Sequence, residues 1–131
     1  MAYIMIVDDD EDFAAAVAKV LRDEKHEVEV LTETTGALER LEMRPPDLLV
    51  LDVMFPEDAT AGFKMARAVR QSTTGLARVP VLMLTAVNQK FPLGFAPRDI
   101  DGDWLPVSEF LEKPVDLDVL VERATALLRR G

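Results

Sequence analysis

Cysteine is absent from the 131 residues, and basic side chains are in deficit, with 15 Lys plus Arg against 24 Asp plus Glu for a net charge of -9. Without cysteine there is neither a disulfide framework nor a thiolate metal site. The acidic balance argues against direct nucleic-acid binding, because backbone phosphates reward basic surfaces. It fits solubility, and part of it fits a carboxylate cluster that binds a cation. No apolar run approaches the length of a membrane span, so no membrane association is expected. No basic and then apolar leader follows Met1, so no secretion signal is expected and the cytoplasm is the default location. No linker, low-complexity tract or internal repeat is evident either, and the length suits one domain over residues 1–131.

What the chain does have is a series of short apolar runs that each stop at a polar residue. Leu48-Leu49-Val50-Leu51 lies between Pro45-Pro46-Asp47 and Phe55-Pro56 and ends in Asp52. Four aliphatic residues are too few for a buried helix, but they suit a strand covered on both faces. Tyr3 to Val7 is a similar run, stopped by Asp8, Asp9 and Asp10. Val28–Leu31, Val81–Leu84 (ending at Thr85-Ala86) and Phe110–Glu112 (ending at Lys113-Pro114) complete five strands.

Helical periodicity fills most of the gaps. Residues Glu11–Lys25 place Phe13, Val17, Val20 and Leu21 on one face, with Asp10 as N-cap. Thr34 or Thr35 opens a short helix through Leu38 and Leu41 that Pro45-Pro46 end. A third helix from near Gly62 carries Phe63, Ala66 and Val69 inward. The last, capped by Asp116, carries Leu117, Leu120, Val121, Ala124, Leu127 and Leu128. Strands alternating with helices predict parallel crossovers and a doubly wound α/β sheet. One crossover breaks the rule. Residues 87–108 hold Pro92, Pro97, Pro106, Gly94 and Gly102, so the fourth helix of the alternation is expected to be degenerate or replaced by an ordered loop, docked through Phe91, Phe95, Ile100 and Trp104.

In a parallel sheet the carboxyl ends of all strands point the same way, and the functional crevice lies beyond them. Asp8, Asp9, Asp52, Thr85 and Lys113 can therefore converge. Two carboxylates about 4 Å apart repel by on the order of 4 kcal/mol at intermediate dielectric, which invites a proton or a hard cation. Mg2+ suits such ligands and leaves positions open for a phosphoryl group. Lys113 adds a positive charge and Thr85 a hydroxyl donor. An aspartate that attacks phosphorus becomes an aspartyl phosphate.

The segments Val7-Asp8-Asp9-Asp10, Leu51-Asp52-Val53-Met54-Phe55-Pro56, Leu84-Thr85-Ala86 and Glu112-Lys113-Pro114 together resemble the receiver domains of two-component response regulators, over nearly the whole chain. The resemblance implies a flavodoxin-like five-stranded sheet of order 2-1-3-4-5. It implies Asp52 as acceptor of a phosphoryl group from a sensor histidine kinase or phosphotransfer protein, with Mg2+ held by Asp8, Asp9, Asp52 and the Met54 backbone carbonyl. Thr85 and Phe110 become switch residues, and Met54 and Val87 flank the approach of the water that ends the phosphorylated state. The Lys113-Pro114 bond is cis in typical receivers. A downstream protein partner is expected to read the 87–113 region, homodimerisation is left open, and the chain is not expected to be an enzyme beyond its own phosphorylation and dephosphorylation.

Competing readings fare less well. Asp10 suits a helix cap better than a metal ligand, and His26 reads as a surface residue of a polar turn. Asp99, Asp101 and Asp103 alternate as in a calcium loop, but Gly102 is misplaced and Phe110 stands where that loop needs Glu. Trp104 suits an anchor for its own loop better than a ligand contact. A dehalogenase-like phosphatase needs an acid where Met54 stands. A flavin site lacks its phosphate loop after the first strand. A phosphate-independent interaction module would have no need of Asp52, Thr85 and Lys113 together. Within the receiver pattern, the stretch Pro56 to Gly62 is about two residues longer than usual, a difference expected to alter how a kinase docks.

Overall fold

A computed structural model describes residues 2–33, 36–52, 61–72, 75–86, 109–113 and 116–130. In chain order the elements are β1 (Tyr3–Val7), α1 (Glu11–Asp23), β2 (Glu27–Leu31), α2 (Ala37–Met43), β3 (Leu48–Asp52) and α3 (Ala61–Gln71). A one-turn 3-10 segment (Gly75–Arg78), β4 (Val81–Ala86), β5 (Glu109–Lys113) and α4 (Leu117–Arg130) follow. The five strands form one parallel sheet of order β2-β1-β3-β4-β5, as expected. The crossover from β4 to β5, residues 87–108, lies outside the described residues, as do Lys113-Pro114 bond geometry and the loop 53–60.

The aliphatic runs of β1, β3 and β4 form strands because each has a covered surface on both sides. Tyr3, Met5, Val7, Leu49, Leu51, Val81 and Met83 pack with Leu41, Met65, Ala66 and Val69 of α2 and α3 on one face. Ile4, Ile6, Leu48, Val50, Leu82 and Leu84 pack with Val17, Leu21, Leu120, Ala124 and Leu127 of α1 and α4 on the other. Period-two alternation thus assigns neighbouring residues of one strand to opposite cores. Among the described residues no helix is long and apolar enough to cross a membrane.

The helices depart from expectation at their ends. Asp10 caps α1, its side chain accepting from the Phe13 amide at 3.1 Å. The helix stops at Asp23, not Lys25, because Lys25 takes a positive φ of 72° and turns the chain into β2. The buried stripe of α1 is Ala14, Val17, Ala18 and Leu21, whereas Phe13 and Val20 are only half-buried. Small residues let α1 sit close to the sheet, which apolar periodicity alone underweights. Gly36, at φ 76°, is the N-cap of α2; Thr34 and Thr35, the expected openers, lie outside the described residues. Asp116 caps α4, accepting from the Asp118 amide at 2.8 Å. The 3-10 turn, which apolar periodicity does not signal, buries Leu76 in the core.

His26 is another correction. It is half-buried, and its Nδ1 accepts the Ala2 amide at 3.1 Å. The edge strand β2 is screened by charge, a usual protection for unpaired strand edges. Arg44 grips Glu27 through two bonds of 2.7 and 2.8 Å and lies 3.8 Å from the Tyr3 ring centre. Arg40 pairs with Glu29, which also accepts from the Tyr3 hydroxyl at 3.0 Å. Hydrogen bonding to Arg44 holds the Glu27 carboxyl below its ordinary range. The contribution of this pair is therefore present at neutral pH and lost only as acid passes below that range. Both side chains are exposed and screened by solvent, so the weight of the pair is small.

Candidate metal and phosphoryl site

Strand register decides what meets at the carboxyl end of the sheet. Val7 pairs with Leu51, so Asp8 and Asp52, each the next residue, leave the sheet side by side. Asp52 pairs with Leu84, and Leu84 with Leu111. Thr85 thus lies one residue beyond the Asp52 row, opposite Glu112, and Lys113 lies two beyond, opposite Ala86. With strands about 4.8 Å apart, the backbone of Lys113 is roughly 10 Å to the side of Asp52. Phe110 sits deeper in the sheet, opposite Met83. Met54 and Val87 fall outside the described residues.

Asp8 and Asp52 are the two buried charged residues among those described, at 1% and 6% exposure, and Asp9 is half-buried. Burial of carboxylates is unfavourable unless something compensates. Part of the compensation is visible. The Asp10 amide donates to Asp8 Oδ1 at 2.9 Å, and the amino terminus of α1 begins immediately after, presenting the positive end of its dipole. Asp10 thus holds Asp8 with its backbone and caps α1 with its side chain, a double role that the cap preference alone does not reveal.

One carboxylate oxygen each from Asp8, Asp9 and Asp52 lies within 4.8 Å of the others. At an effective dielectric near 20, each ionised pair at that separation repels by roughly 3 kcal/mol. Three hard oxygen donors from two adjacent strand ends fit a divalent cation such as Mg2+, which binds through a few carboxylates and keeps open positions. Asp10 is not part of this group. Of the sequence-predicted residues, the fold brings Asp8, Asp9 and Asp52 into one cluster and puts the backbones of Thr85 and Lys113 at the same end of the sheet.

The profile described as "Response regulator receiver domain" matches residues 4–125. The chain is 29% identical over 130 residues to the response regulator ArlR of Staphylococcus epidermidis, covering 99% of this chain and 54% of that protein. It is 30% identical over 131 residues to the sensory transduction protein RegX3 of Mycobacterium tuberculosis, covering 100% of this chain and 52% of that one. The chain therefore spans about half the length of these curated relatives. Among solved structures, a Chloroflexus aurantiacus protein assigned as a response regulator superposes with a TM-score of 0.79 at 31% identity, over 98% of both chains.

If the cluster holds a divalent cation, Mg2+ at about 100 times its dissociation constant should raise unfolding stability by roughly 2.7 kcal/mol. Urea titrations with and without Mg2+ read this directly, and D9N and D52N should each lose most of the gain. A Mg2+ effect of equal size in both variants would place the cation elsewhere.

Proposed function

The chain belongs to the response regulator receiver domain family, and from that premise we propose that Asp52 is the phosphoacceptor of a two-component phosphorelay, loaded by a sensor histidine kinase or a phosphotransfer protein. The meeting of Asp8, Asp9 and Asp52 at one sheet end carries this reading. In the transfer, one Asp52 carboxylate oxygen forms a bond to phosphorus while the phosphorus–nitrogen bond of the donor phosphohistidine breaks. The bonding pair returns to the imidazole nitrogen. Mg2+ would be held by Asp8, Asp9, Asp52 and the Met54 carbonyl, and when bound it supplies positive charge against the phosphoryl oxygens.

The remaining roles belong to the chain itself. Asp52 is pre-positioned by a strand buried on both faces, so little conformational freedom is lost at the moment of attack. Lys113 contributes a second positive charge and Thr85 a hydroxyl donor for the phosphoryl oxygens. Thr85 and Phe110 flank the 87–108 crossover, so a shift of either on phosphorylation is passed to that segment, where a downstream protein partner reads it. The chain acts on no substrate beyond its own phosphoryl group, and it works in the cytoplasm.

Phosphorylation is tested by incubating the protein with a small phosphodonor and Mg2+ and measuring acid-labile phosphate by mass spectrometry. One phosphoryl group per chain is expected on the wild type and none on D52N. Equal labelling of the two proteins would remove Asp52 from the role.

The phosphorylated state should also be long-lived. Hydrolysis needs a water held in line with the leaving carboxylate. Two residues after Asp52 and Thr85 stand Met54 and Val87, and neither can orient a water by hydrogen bonding. Replacing them together (M54N/V87E) should speed loss of the label by about tenfold, equivalent to ~1.4 kcal/mol of barrier. An unchanged decay rate would defeat this account.

The output surface can be mapped by hydrogen exchange with and without beryllofluoride. Protection is expected to change within 87–110. A change confined to other segments would exclude that crossover as the carrier of the signal.

A further inference from the structure

The amino ends of the strands, opposite the carboxylate cluster, hold a second feature. A cleft of about 660 Å3 opens between the residues that precede β1, β3 and β4 and the last turns of α4. Five-residue strands separate it from Asp52 by roughly 17 Å. Its apolar lining includes Val79, Pro80 and Leu128, and its cationic lining is Arg78 and Arg129.

Those two differ from the other arginines whose side chains are described. Arg40 and Arg44 are taken up by Glu29 and Glu27, and Arg22 donates to the Val28 carbonyl at 2.8 Å. Lys64, Arg67, Arg70 and Arg123 also have partners. Arg78 and Arg129 are exposed, and neither forms an ion pair with any described residue. In a chain of net charge -9, two uncommitted guanidinium groups at one cleft are a local reversal of sign.

The acid in the lining does not cancel them by pairing. Asp47 Oδ2 accepts the Tyr3 amide at 2.8 Å, and the Asp47 amide donates to the Tyr3 carbonyl at 2.7 Å, which ties Asp47 to the start of β1. His26 adds a donor. Its Nδ1 is occupied as acceptor by the Ala2 amide, so in the neutral ring the proton resides on Nε2.

We propose that this cleft binds a small organic anion, a phosphate or carboxylate head carried on an apolar body. Guanidinium forks match the oxygens of either head group, and the aliphatic and proline lining receives the body. The volume falls within the range of small-molecule sites, about 300–1,000 Å3. The site is independent of the Asp52 assignment, since it shares no residue with the carboxylate cluster.

The test uses the full chain, isotope-labelled, titrated with n-hexyl phosphate, hexanoate and inorganic phosphate while amide shifts are followed by NMR. Saturable shifts at Ala2, His26, Asp47, Val79 and Leu128 are expected with at least one of the two organic anions, and the tighter of them identifies the head group. Inorganic phosphate should bind at least about tenfold more weakly, and R78A and R129A should each weaken the organic anion by about tenfold. Both arginines are exposed, so the variants should keep the wild-type spectrum elsewhere. The proposal is overturned by the absence of saturable shifts up to about 10 mM. It is equally overturned by unchanged affinity in the R78A/R129A double variant, by inorganic phosphate binding as tightly as hexyl phosphate, or by shifts confined to Asp8, Asp9 and Asp52.

Discussion

Two-sided burial of the parallel sheet is the constraint on which everything else depends. β1 and β3 lie between two hydrophobic cores, so no charged side chain can occupy their interiors without a large desolvation cost. Polar chemistry is pushed to the strand ends, and parallel pairing gathers all carboxyl ends on one edge. The same backbone geometry that completes both cores therefore brings Asp8 beside Asp52. The site is a consequence of the packing as much as an addition to it.

The cluster makes sense as a compromise between rigidity and charge. Packing on both faces of β3 fixes where Asp52 starts, and the Asp10 amide fixes Asp8 Oδ1. Three carboxylates held this close repel one another, and a folded domain is stable by only about 5–15 kcal/mol in all. A divalent cation held by the three carboxylates would relieve that repulsion.

The two ends of the sheet carry opposite chemistry. The carboxyl end gathers acids from β1 and β3, whereas the amino end is lined by Arg78 and Arg129 over an aliphatic floor. α4 spans the distance between them: it begins four residues after Lys113 and ends at the amino-end cleft. Its buried Leu120, Ala124 and Leu127 bind it to the α1 side of the core.

Much of this was legible in the residues themselves. Short aliphatic runs ending in Asp8, Asp52 and Thr85 announced buried parallel strands, because a strand covered on both faces reads as unbroken apolar sequence. The alternation with amphipathic helices announced the crossovers, and Asp10 and Asp116 announced the caps. Four motifs in order at the strand ends are enough to suggest the family. Tertiary structure decided the rest. The inward stripe of α1 ran through Ala14 and Ala18 because close approach to the sheet favours small side chains, which apolar periodicity undervalues. His26 acquired a partner in Ala2, 24 residues away, and the lining of the amino-end cleft came from positions as distant as Asp47, Arg78 and Arg129. Local pattern reports how a segment folds and which end of a strand it reaches. It carries no record of which distant segments meet there, because that is set by register and by the packing of whole elements.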